Sequence, residues 1–101
     1  MHVFEIFLPL YDNDGRRFGQ HLFGQVRGEL LERFGGLTAF SRSPAEGLWA
    51  SERGTDRDEM VIFEVMAEDF ERGWWSEYRK RLEGQFEQDV ILIRASEVVQ
   101  V

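Results

Sequence analysis

The chain has 101 residues, 43% of them hydrophobic and 14% aromatic. That is enough apolar material to build one core, so a single domain over residues 1–101 is expected and a disordered chain is excluded. Its formal net charge of -7 disfavours phosphate backbones and anionic lipid surfaces, which are drawn to Lys/Arg patches, and the lack of cysteine excludes disulfides, thiolate chemistry and cysteine-held zinc or iron–sulfur sites.

In chain order, residues 3–8 (VFEIFL) form a β-branched and aromatic run ended by Pro9, the pattern of a strand. Asp12, Asn13, Asp14 and Gly15 then predict a turn. Phe18, Leu22, Val26, Leu30 and Phe34 recur every four residues, predicting a helix over about 17–34 that Gly35-Gly36 stops. Residues 37–42 resume a strand pattern, bent by Pro44 and Gly47 before Leu48-Trp49-Ala50, and residues 51–59 read as a polar hairpin loop. Residues 60–66 (MVIFEVM) look like a central strand. Asp69 is placed to cap a helix running to about residue 88, with Phe70, Trp74, Tyr78, Leu82 and Phe86 inward and Trp75 outward. Residues 90–95 (VILIRA) supply the last strand, with Val98-Val99 as its tail.

The order βαββαβ predicts an α+β, ferredoxin-like sandwich: a four-stranded antiparallel sheet in the order 4-1-3-2, with both helices on one face. Because side chains alternate along a strand, Phe4, Ile6 and Leu8 belong on one face and Val3, Glu5 and Phe7 on the other. Placing the purely apolar sets beneath the helices leaves Val3, Phe7, Ile62, Met66, Val90 and Leu92 on an open face. Such a patch is larger than monomers usually expose, and a homodimer packing sheet on sheet would cover it. Glu5 and Glu64 are embedded in that face on neighbouring strands, with Arg94 beside Glu5 and Arg42 expected beside Glu64. These acids and bases form either register-fixing ion pairs or a polar ligand site.

Other constellations are weaker. The 12–15 turn resembles the start of a calcium loop without its required glycine and distal glutamate, so Asx-turn chemistry explains it and no metal site is expected. His2 and His21 are the only histidines. Arg79-Lys80-Arg81 is matched by Glu77, Glu83 and Glu87 at helical spacing and reads as a solvated face. Trp49, beside the Pro44 and Gly47 bend, is a candidate pocket rim.

The strings EIFLPLYDNDG (5–15), GGLTAFSRSPAEGLW (35–49), FEVM (63–66) and ILIRAS (91–96) resemble a set of short bacterial proteins of unknown function, a resemblance that spans nearly the whole chain and brings no activity or site residue with it. More loosely, the expected topology is similar to dimeric α+β barrel proteins, which include cofactor-independent monooxygenases, lactone isomerases and stress-responsive barrel proteins. That second likeness is one of fold alone.

The expected function is therefore a small homodimer, assembled through its open sheet face, that binds a small molecule or a protein partner. Candidate ligand-binding residues are Glu5, Glu64, Arg94, Arg42, Tyr11 and Trp49, with no cofactor. The alternative is a cofactor-independent enzyme of the monooxygenase or isomerase type acting on a hydrophobic substrate, with Glu64 or Glu5 as base and Tyr11 or His21 assisting. No run approaches the ~20 apolar residues of a membrane span, and the N-terminus lacks a signal-peptide pattern, so a cytoplasmic address is expected and a membrane is not a partner.

Overall fold

The two runs richest in β-branched and aromatic residues pair with each other. Strand β1 (His2–Pro9) lies antiparallel to β3 (Met60–Ala67), with His2 opposite Ala67 and Pro9 opposite Met60. Strand β2 (Thr38–Arg42) flanks β3, and β4 (Ile93–Glu97) flanks β1, giving the sheet order β2-β3-β1-β4. Helices α1 (Gln20–Phe34) and α2 (Arg72–Gln85) complete the ferredoxin-like order. The structure, a computed structural model, describes residues 1–42 and 59–101, and for 40–42 the backbone alone. The bend at Pro44 and Gly47, the segment Leu48-Trp49-Ala50 and most of the expected hairpin loop lie outside the described residues.

Both helices cover the face predicted for them. Phe4, Ile6 and Leu8 of β1 and Phe63 and Val65 of β3 form one cluster with Val26 and Leu30 of α1 and with Tyr78, Leu82 and Phe86 at and near the end of α2. Each of these large side chains stabilises the fold by about 1.5–3 kcal/mol through burial. Gly35 ends α1 in the left-handed conformation, φ 77°, and its N–H bonds the Leu31 carbonyl at 2.8 Å. Glycine adopts that geometry without a Cβ penalty.

Three sequence expectations need correction. The first concerns the tryptophans: Trp75 is the core residue, 6% exposed and stacked on Phe4 at 4.4 Å, while Trp74 is only half-buried. A spacing of four overshoots the ~3.6-residue helical turn by about 40° per step. The stripe therefore precesses, and by the first turn of α2 position 75 has replaced position 74 beneath the helix.

The second is the start of α2, which begins at Arg72 rather than after an Asp69 cap. Glu71 holds the N-cap position but makes no side-chain cap bond. Its carboxylate is taken by Arg33 at 2.6 Å. The same helix stops at Gln85 because Glu87 turns left-handed, φ 51°. Gln88 N–H then bonds the Glu83 carbonyl at 2.9 Å and Glu87 N–H the Gly84 carbonyl at 3.3 Å, the Schellman pattern. A non-glycine residue is strained there, so Glu87→Gly is expected to stabilise the protein by about 0.5–1 kcal/mol, read as an unchanged urea m-value with a higher midpoint.

The third is β4, which starts three residues later than the apolar run suggests. Ile91 N–H donates to the Glu83 Oε2 of α2 at 3.0 Å instead of joining the ladder. The Ile91 side chain nonetheless enters the core. Beyond β4, Val98 N–H bonds the Met1 carbonyl at 2.9 Å, extending the pairing with the N-terminus by one bond.

Candidate functional site

The alternation that sends Phe4 and Ile6 under the helices sends Val3, Glu5 and Phe7 to the helix-free face. The register sets Glu5 directly opposite Glu64 on β3 and Arg94 on β4, with Phe7 opposite Ile62 and Val3 opposite Met66. Arg94 Nε donates to Glu5 Oε1 at 2.7 Å, and its guanidinium lies 5.0 Å over the Phe7 ring. Glu5 is the more sheltered partner, its side chain 20% exposed against 54% for Arg94. As a solvent-facing pair it contributes up to about 1 kcal/mol. Glu64 is half-buried, and among the described side chains no cation lies within ion-pair reach of it.

The face is less open than the sequence suggests. Phe7 and Ile62 are already buried within the single chain, although neither belongs to the core beneath the helices. What remains exposed is Met66 at 42% and Leu92 at 51%, with Val90, at 72%, in the segment that leads into β4. Leu92 is tied to the sheet through its carbonyl, which accepts the Phe7 N–H at 3.0 Å.

The other candidates disperse. Arg42 pairs with Met60, and Glu64 faces Thr38, so the expected Arg42–Glu64 neighbourhood is not made. The sequence fixes no register for β2, and the pairing sits four residues from the one that would align them. Tyr11 follows β1 and bridges antiparallel to Arg17. Between these two, Asp12 closes the turn by accepting the N–H groups of Asp14 and Arg16, both at 2.9 Å on one carboxylate oxygen. This is the Asx chemistry expected of that string. His21 is exposed in the first turn of α1, across the sheet from Glu5 and Glu64, so it cannot assist either as an acid–base partner. Trp49 lies outside the described residues. Among the described residues no helix is long and apolar enough to cross a membrane.

Sequence reasoning missed two polar clusters on α2. The Tyr78 hydroxyl donates to Glu29 Oε1 at 3.1 Å, and Arg81 pairs with the same oxygen at 2.9 Å. Burial, with the adjacent Glu29 charge, drives the Tyr78 hydroxyl above the usual phenol range and keeps it neutral. At the start of the helix, Arg33 lies 4.2 Å over the Trp74 ring while holding Glu71. It thereby covers one wall of a depression of about 320 Å3 between α1 and α2. Both clusters join the helices by contacts distant in sequence, which helical spacing within one element does not reveal.

The fold and site define an α+β protein with an acid–base pair set in a partly apolar sheet face. Comparison with protein families, curated proteins and solved structures finds no match for the chain.

Proposed function

We propose that the chain is a small homodimeric binding protein, two copies meeting through the helix-free sheet faces and enclosing a small molecule or a partner segment near Glu5, Glu64 and Arg94. The observation that carries this reading is the apolar rim of Met66, Val90 and Leu92 beside the Glu5–Arg94 pair, whose carboxylate is sheltered. A self-complementary interface buries such a rim and leaves the pair to set orientation.

Native mass spectrometry of untagged, freshly purified protein tests the proposal. A dimer retaining a small-molecule mass is the expected result, and a monomer carrying nothing is the contrary one. Glu64→Gln removes one of two directly opposed carboxylates, and like charges in that position oppose pairing by roughly 0.2–1 kcal/mol. The variant is expected to stabilise the single chain by up to that amount in urea unfolding, with the dimer not weakened in sedimentation equilibrium. A weaker dimer would mean that Glu64 meets a cation across the interface.

A second reading, a cofactor-independent enzyme on a hydrophobic substrate, draws on one observation: Glu64 is half-buried with no cation paired to it among the described side chains. A carboxylate so placed can serve as general base. That reading requires turnover that Glu64→Gln abolishes.

A further inference from the structure

On the opposite side of β4 from Glu5, a cleft of about 170 Å3 runs between α2 and the free edge of the sheet. Its apolar wall is Phe70, Trp75 and Ile93. Arg72, Ser76 and Arg79, at i, i+4 and i+7 of α2, line it from one helix face. Although the chain carries 19 acidic against 12 basic residues, among the described residues no carboxylate lines this cleft.

Both helical guanidiniums retain donors for a ligand. The Arg72 guanidinium carbon lies 4.4 Å over the Phe70 ring, a cation–π contact that engages no N–H donor in a hydrogen bond. No carboxylate pairs with it among the described residues. Glu71, its neighbour in sequence, is held by Arg33 on the other side of α2. Arg79 reaches Glu83 only at 3.5 Å, and the oxygen it meets already accepts the Ile91 N–H. Arg94 is committed to Glu5, so the charge available to the cleft comes from Arg72 and Arg79. Arg72 also stands in the first turn of α2, which carries no acidic residue of its own, the N-cap Glu71 being paired with Arg33, and the helix dipole adds positive potential there.

We infer that this cleft binds a small organic carboxylate with a one-ring or branched apolar body, the carboxylate held by Arg72 and Arg79 and the body lying against Phe70, Trp75 and Ile93. The volume suits this class, since a cavity of about 150 Å3 accommodates benzene, and planar guanidiniums match a carboxylate with paired N–H donors. The site adjoins the sheet face proposed above at Arg94, which lines both, but lies on the other side of β4 and does not depend on dimerisation.

Titration of the full-length 15N-labelled protein with benzoate, and separately with benzyl alcohol, tests this. Benzoate is expected to give saturable amide shifts concentrated at residues 70–79 and 93–95, with benzyl alcohol weaker by about tenfold or more, the loss expected when charge-assisted bonds are removed. The exposed double variant Arg72→Gln, Arg79→Gln should keep its spectrum elsewhere and lose benzoate binding to the same extent. Equal binding of the alcohol, unchanged benzoate affinity in the double variant, or shifts centred on other residues would each overturn the inference. A double variant with a globally altered spectrum is replaced by Arg72→Lys, Arg79→Lys, which must then restore benzoate preference over benzyl alcohol for the inference to stand.

Discussion

Trp75→Ala is expected to lower unfolding free energy by about 3–5 kcal/mol, the cost of emptying a buried tryptophan site. Trp74→Ala should cost about 1 kcal/mol. The contrast follows from packing: Trp75 stacks face to face on Phe4 at 4.4 Å and on Phe34 at 5.4 Å, so it joins β1, α1 and α2. Trp74 stacks on Tyr78 at 4.8 Å but keeps its other side under Arg33. In a domain of this size, with an ordinary ~5–15 kcal/mol of total stability, the Trp75 variant should melt roughly 15–30 °C lower. Urea unfolding of the two variants side by side gives the comparison. Equal losses would mean that the two rings share the core equally, contrary to the geometry described.

The second large effect is on assembly. Leu92→Asp or Met66→Lys places a charge in the rim proposed to be buried between two copies, and an unpaired buried charge costs several kcal/mol. Either substitution is expected to weaken the dimer at least about a hundredfold. Because both side chains are exposed in the single chain, monomer stability should change by no more than about 0.5 kcal/mol. Sedimentation velocity and urea unfolding on the same samples separate the two quantities. A dimer that survives both substitutions would have to use another surface, such as the free edge of β4.

Much of this architecture is legible from residues alone. The alternation in β1 and β3 decides which side chains lie beneath the helices and puts Glu5 and Glu64 on the same face of neighbouring strands, because parity has only two outcomes; their direct opposition is a matter of register, which the structure supplies. The same reasoning finds Arg94 beside Glu5, since the last strand must pair with β1 in this topology. It fails for Arg42, because the register of β2 is set by its pairing with β3 and not by parity. Helical spacing identifies both helices but misplaces the tryptophans, for a period of four drifts over a helix this long. The starts of α2 and β4 depend on contacts that no local pattern carries: Arg33 removing Glu71 from capping, and Glu83 reaching across to the Ile91 N–H. The Arg72–Arg79 pair was hidden for a related reason. Arg79 reads as part of a charged surface triplet until β4 is placed beside it.

The burial of Phe7 and Ile62 within one chain narrows the apolar surface left for a partner to Met66, Val90, Leu92 and their surroundings. Assembly through the helix-free face is therefore the claim on which the proposed function rests. Sedimentation equilibrium of the wild-type protein across micromolar concentrations tests it most directly. The account predicts a single species at twice the 11.9 kDa chain mass that dissociates on dilution, whereas a monomer at every concentration would contradict it.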